Sequence, residues 1–299
     1  MRKGTEARGS EQLMAGASHS TTGPVDLVDV DPAKAGYRTI LVRSEGAVDW
    51  LTFNRPDRLN ALNDLMVEEL WDYFTRRQKD HACRVIVLQG SGTAFCAGLD
   101  LKSRGETDES TTLRVDSRRA SLAGLVMLMR SCPQPIIALV HGPACGGGLI
   151  LALAADVRIA GESARMNVAF IKMGLSGCEL GTSYFLPRMV GLSVARELMM
   201  TGRFIGAARA LATGLVSEVT TDADMVVAGR ALVKDMLRSS PAGLRMTKST
   251  MELTLRSDDL QSVMKLEEHT QLLCFQGPDF GEALTAFAEK REPRFSAAG

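Results

Sequence analysis

The 299-residue chain is 45% hydrophobic, enough for one substantial core or for a core with an appended helical region. Its 35 basic and 35 acidic side chains cancel, so no global charge draws it to nucleic acid or to an anionic membrane. The 6 cysteines are widely spaced without a CxxC pair and the 4 histidines are dispersed, which argues for buried reduced thiols in a cytoplasmic protein and against a disulfide framework or a metal site.

Residues 1–36 are rich in Gly, Ser, Thr, Ala and Asp without a sustained period, and predict a flexible leader. Its start, MRKGTEARGSEQ, is charged but no apolar run follows, so no signal peptide is expected. In residues 37–53, YRTILVRSEGAVDWLTF, two apolar segments flank Ser44-Glu45-Gly46 and predict a β-hairpin, ended by Arg55-Pro56-Asp57. Residues 63–79 carry Leu65, Met66, Leu70, Tyr73 and Phe74 at roughly helical spacing, behind Asn63 and Asp64 as caps. A short apolar strand is expected over 84–88, then the turn Gly90-Ser91-Gly92-Thr93, a charged mobile loop over 105–110 and a long helix over 113–129.

The stretch 135–155, PIIALVHGPACGGGLILALAA, opens as a buried strand over 136–140 and turns at His141-Gly142-Pro143. It then passes through Gly146, Gly147 and Gly148 into a buried Leu/Ala helix. That order puts unhindered backbone N–H groups at a helix N-terminus, where negative charge is favoured. The uncharged run 132–155 is long enough to raise a membrane span, but its prolines and adjacent glycines predict a buried strand-turn-helix in a soluble protein.

Next come a strand over 157–160, a weaker candidate over 168–173, a polar turn over 176–182 and a helix interrupted near Pro187. A helical run over 194–200, an alanine-rich helix over 205–214 and a strand over 215–219 follow. In the last third, Ser240-Pro241 starts a helix, and Leu260, Val263, Met264, Leu272, Leu273 and Phe275 mark a second, amphipathic one. Asp279 and Glu282 suggest a capping box for a third, ending before Pro293. Strand alternating with helix predicts an α/β core with a partly parallel sheet over 37–235, and a helical region over 236–299 that packs over it or over a neighbouring subunit.

Four motifs in this order, NRPDRLNAL (54–62), AFCAGLDL (94–101), HGPACGGG (141–148) and FAEKREPRF (287–295), resemble the enoyl-CoA hydratase/isomerase, or crotonase, family. The resemblance runs from about residue 37 to 295. It implies a sheet-and-helix core with a helical C-terminal region, a homotrimer or homohexamer, and an acyl-coenzyme A thioester as substrate, with no permanently bound cofactor and no metal. It also implies that the backbone N–H groups of Leu99 and Gly147 form an oxyanion hole for the thioester oxygen, Gly147 having no Cβ to obstruct it. The alternative is that the glycines only allow the buried helix to approach the sheet.

Where the family's hydratases carry two glutamates that activate water, this chain has Ile150 and Phe170, neither of which can move a proton. Glu179 resembles the position from which certain isomerases of the family supply a base; it could equally cap the following helix. The resemblance therefore implies an isomerase relying on Glu179, or else a hydratase of divergent site or a non-catalytic acyl-CoA binder. Asp100 is read as a local hydrogen bond of its turn, His141 as a turn residue, and Cys145 and Cys178 as buried small hydrophobes. Arg58, Ala97, Lys290 and Phe280 are the expected contacts to coenzyme A, with solvated charge and core packing as the alternatives for the basic and aromatic members.

Overall fold

The computed structural model describes residues 36–101 and 121–295. The leader expected over 1–36, Gly36 apart, and the loop expected over 105–110 lie outside the described residues.

The hairpin forms as β1 (Ile40–Glu45) and β2 (Val48–Phe53), antiparallel with Ile40 opposite Phe53. It is joined by β3 (Val85–Gly90), β4 (Ile136–Val140), β6 (Val157–Gly161) and β9 (Glu218–Thr220) in the order β1-β2-β3-β4-β6-β9, and every pairing beyond the hairpin is parallel. Both faces of this sheet are covered. Ile86, Leu88, Ile136, Ala138 and Val140 enter one core with α1 (Asp64–Arg77), α2 (Leu122–Ser131), α3 (Gly147–Ala154) and α4 (Thr182–Thr201). The alternate residues Val85, Val87, Ile137 and Leu139 enter a second core with Trp50 and with Met225 and Val233 of α6 (Met225–Leu237). Successive strand residues point to opposite faces, and here both faces are buried, so β4 and the first four residues of β3 read as unbroken apolar runs.

Two buried carboxylates stitch α1 to the hairpin. Glu69 accepts the backbone N–H groups of Arg38 and Thr39 at 2.7 and 2.9 Å, and Asp49 accepts the Tyr73 hydroxyl at 2.7 Å beside the Arg77 guanidinium, also at 2.7 Å. Asn63 caps α1 as expected, accepting the Met66 N–H at 3.0 Å.

Several boundaries differ from the sequence expectation. α2 begins at Leu122 because Ser121 is extended (φ −81°, ψ 146°) and its hydroxyl caps the Gly124 N–H at 3.0 Å; the first part of the helix expected over 113–129, up to residue 120, lies outside the described residues. Residues Ala169–Met173 form a 3-10 turn in place of a strand. The break in α4 falls at Gly191 (φ 73°, ψ 164°) and leaves Pro187 inside the helix. A proline keeps a helix-compatible φ and costs one N–H, whereas a positive φ cannot be helical at all. The alanine-rich helix is shortened to α5 (Ala207–Ala212), preceded by β8 (Ile205–Gly206). β8 closes a second sheet, β5-β7-β8, with β5 (Pro143–Cys145) and β7 (Arg165–Asn167), strands too short and too polar to show in a pattern search.

The C-terminal region is α7 (Pro241–Thr254), α8 (Leu260–Gln276) and α9 (Pro278–Glu289). Ser240 caps α7 through the Gly243 N–H at 2.9 Å. The expected capping box of α9 is absent: Gly277 is its cap, Asp279 instead accepts the Ser240 hydroxyl at 2.7 Å, and Glu282 is bound by Arg291. Among the described residues no helix is long and apolar enough to cross a membrane.

α7 is anchored by Lys248, whose ammonium is buried against the Asp156 carboxylate at 2.7 Å and the Gln134 carbonyl at 2.9 Å. Replacing Lys248 by Met strands part of the charge on Asp156, and we expect a loss of roughly 3 kcal/mol, at the low end for a broken buried pair because Arg130 stays beside Asp156. Urea denaturation measures it, and an unchanged midpoint would refute the anchoring role. His141 ties the turn after β4 to the turn after β3 by a 3.0 Å bond from Nε2 to the Gly92 carbonyl, and burial holds its pKa below the ordinary value. The unfolded chain takes up this proton below about pH 6.5 while the native chain does not, so stability falls as pH drops through that value. In His141→Gln the fall should flatten; equal pH slopes in urea midpoints of both proteins would contradict this.

Candidate functional site

The site forms where the loops leaving β3 and β4 meet. Asn60 organises the first loop: fully buried and held at φ 55°, it donates Nδ2 to the carbonyls of Ser91 (2.8 Å) and Ala94 (2.7 Å) and accepts the Arg55 N–H at 2.8 Å. A short ladder runs on from it. Ala97 N–H bonds Leu59 (2.9 Å), Leu62 N–H bonds Gly98 (2.7 Å) and Asp100 N–H bonds Leu62 (2.9 Å), making Leu62 and Leu99 a parallel bridge. Successive N–H groups of an extended segment alternate in direction. With Asp100 turned toward Leu62, the Leu99 N–H is left for the other side.

On that other side lies the glycine triplet. Cys96 N–H bonds Pro143 (3.1 Å) and Cys145 N–H bonds Cys96 (3.0 Å), which draws the segment 96–99 against the start of α3. Gly146 caps α3 with φ 48° and ψ −116°, a conformation closed to side-chain-bearing residues, and a Cβ on Gly148 would lie 2.1 Å from the Cys96 carbonyl oxygen. A Cβ on Gly147 would meet only hydrocarbon, Leu62 and Leu122 at 3.1 Å and Leu99 at 4.0 Å. The structure therefore brings Leu99 and Gly147 side by side. Among the described residues, neither N–H has a backbone carbonyl acceptor. Two adjacent unspent donors at a helix start, walled by leucines, suit an oxygen that gains negative charge.

Ile150 is fully buried, and Phe170, 6% exposed, has its ring 3.6 Å from where a Gly146 Cβ would stand. Hydrocarbon thus surrounds the start of α3. Glu179 lies in the loop between the 3-10 turn and α4, its side chain exposed. Its carbonyl accepts the Thr182 N–H (2.9 Å) and hydroxyl (2.6 Å), so the residue does shape the helix start, but through its backbone, which leaves the carboxylate available.

The expected coenzyme A contacts lie in two parts of the chain, 58–97 and 280–290. Ala97 sits in the ladder next to Leu99, and exposed Arg58 lies on the preceding 3-10 turn beside Asp57. Phe280 and Lys290 belong to α9, where Phe280 packs edge-on against Phe275 of α8 and Lys290 ends the helix at φ 54°. A cavity of about 680 Å³ between α7 and α8, lined by Thr250, Met251, Met264 and Phe275 among others, belongs to the exposed helical region and not to the triplet.

Asp100 also has a partner distant in sequence. Its carboxylate, 7% exposed, pairs at 2.8 Å with the Arg55 guanidinium, which also donates to the Ala61 carbonyl. Arg55 went unnoticed although it lies in the first motif; no local pattern announces a partner so distant in sequence. Burial pushes the Cys145 thiol up to about 11 and Cys96 up to about 12, so both stay protonated and neither is an activated nucleophile. Cys178, expected to be buried, is exposed, because it lies in the loop before α4 and not in a packed element. Among the described residues no group of three or more His, Cys, Asp or Glu could hold a metal ion.

Comparison with known proteins identifies the family. Residues 43–298 match the family model for enoyl-CoA hydratase/isomerase. A Mycobacterium bovis protein named "Probable enoyl-CoA hydratase" is 37% identical over 88% of this chain and 95% of its own length. The 1,2-epoxyphenylacetyl-CoA isomerase of Escherichia coli is 32% identical over 86% of this chain and 98% of its own. The crystal structure of enoyl-CoA hydratase from Bacillus anthracis superposes with a TM-score of 0.82 at 30% identity, covering 87% of this chain and 100% of that one. With its motifs, its fold and these relatives in agreement, the chain belongs to the enoyl-CoA hydratase/isomerase family.

Proposed function

We propose that this enzyme shifts a double bond in an unsaturated acyl-CoA through a thioester enolate. Membership of the family makes an acyl-CoA thioester the substrate class. The observation that carries the finer reading is the pairing of two N–H groups, on Leu99 and Gly147, that among the described residues have no backbone carbonyl acceptor, with hydrocarbon at Ile150 and Phe170. The donors stabilise an enolate oxygen, while the hydrocarbon gives no group to hold or activate water.

The Glu179 carboxylate takes a proton from carbon 2 of a 3-enoyl thioester. The C–H electron pair moves into the conjugated system and charge settles on the thioester oxygen, between the two N–H groups. The same carboxylate returns the proton to carbon 4, and the product is the 2-enoyl thioester. No water is consumed and the base is regenerated.

Exposure of Glu179 in the single chain favours a second reading, a binder that keeps the thioester pocket without turnover. Offering purified protein a 3-enoyl-CoA and a 2-enoyl-CoA, and following migration and hydration separately, divides the readings. Glu179→Gln should lower migration by at least about a hundredfold, the scale of a lost general base, with thioester affinity retained. Hydration that survives the substitution would return the enzyme to the hydratases; no turnover of either thioester in the unsubstituted protein would leave the binder.

We further infer a homotrimer or a pair of trimers in the cytoplasm. All six cysteines are free, which suits a reducing compartment. α8 buries none of its side chains within one chain, and Leu260, Met264, Leu272 and Phe275 are each more than half exposed. Faces of this kind on adjacent helices are covered by another subunit in soluble proteins. Light scattering over a dilution series should give three or six chain masses, and a monomer at every concentration would be incompatible with that assembly.

A further inference from the structure

We propose that Arg55 is a positioning residue of the thioester site, holding the Leu99 N–H in register with the Gly147 N–H; this rests on reading those two donors as an oxyanion hole. The Leu99 donor is only as well placed as the strip that carries it. That strip is bound to Leu62 by two hydrogen bonds, Leu62 to Gly98 and Asp100 to Leu62. Arg55 reinforces both sides of the bridge at once, because Ala61 precedes Leu62 and Asp100 follows Leu99. From Nη1 it donates to the Ala61 carbonyl, and from Nη2 to the Asp100 carboxylate at 2.8 Å.

The planar, permanently charged fork of a guanidinium suits such a two-sided grip, which a lysine's single ammonium cannot reproduce in full. The pair is also shielded, with Arg55 and Asp100 side chains 16% and 7% exposed, so solvent screens it far less than a surface pair. Arg55 is itself anchored, through its backbone N–H on Asn60, to the loop leaving β3. The charge matters as well as the grip. A carboxylate one residue from the donor opposes negative charge building on the thioester oxygen, and the guanidinium beside it offsets that field. Arg55 touches neither the reacting carbons nor the oxygen; it acts through Leu99.

The test uses the full chain and 4-dimethylaminocinnamoyl-CoA, a conjugated thioester whose absorption moves to the red when its carbonyl accepts strong hydrogen bonds, and which needs no turnover. The unsubstituted protein should produce the red shift. Arg55→Gln should lose most of it while affinity for the probe changes by less than about threefold, and Arg55→Lys should restore part. With a turned-over thioester, kcat should fall roughly a hundredfold and KM much less, as expected when a donor is misplaced but binding survives. A full red shift in Arg55→Gln overturns the assignment and leaves the oxyanion hole standing. Absence of the shift in the unsubstituted protein overturns both together. Should Arg55→Gln fail to fold, Arg55→Lys and Asp100→Asn carry the test, each expected to show a partial shift; an undiminished shift in both overturns the proposal.

Discussion

The approach of the Cys96 carbonyl to Gly148 sets the geometry of everything around it. Two loops from neighbouring parallel strands are pressed together so closely that a single methyl group would collide with main chain. Reciprocal bonds between Cys96, Pro143 and Cys145 hold that contact. The start of α3, the strip bearing Leu99 and the leucine walls take their places from it. A shift there would be felt at both donors at once, since interiors this dense transmit displacement and do not absorb it.

Because the donors of the proposed site are main-chain groups, on that reading the side chains beside them need do nothing catalytic. Leu99 can be a leucine, and its body serves as wall for the pocket. What distinguishes one reaction from another must then come from the groups facing the acyl chain. In this protein those at the start of α3 are hydrocarbon, and on the proposed reading the carboxylate comes from the loop before α4. Stabilisation of charge thus falls, on the proposed reading, to the backbone and movement of protons to one side chain.

How much of this was legible in the sequence follows from the range of each interaction. The hairpin, α1, β3, β4 and α7 were readable because local rules define them: two apolar runs about Gly46, the cap at Asn63, unbroken apolar strands and the Ser240-Pro241 start. Leu99 and Gly147 stand out through their motifs, and the structure makes them neighbours. What escaped depends on contacts between distant segments. The small sheet β5-β7-β8 has strands of two or three residues whose partners alone make them strands. Arg55 meets Asp100 across the fold, and Asp279 leaves its own helix to bind Ser240. A tempting local signal misled at Pro187, where the true break waits for a glycine.

α8 contributes no interior to the chain that makes it, so the chain alone gives it little reason to stay folded beyond its contacts with α7 and α9. Isolated helices of such length are marginal in water. If a neighbouring copy supplies the missing interior, the order of the last third becomes a matter of mass action: dilution should loosen it before the sheet yields. Cells would then set how much of this region is structured through the abundance of the protein, and a substitution on α8 would act first on the concentration at which subunits find one another.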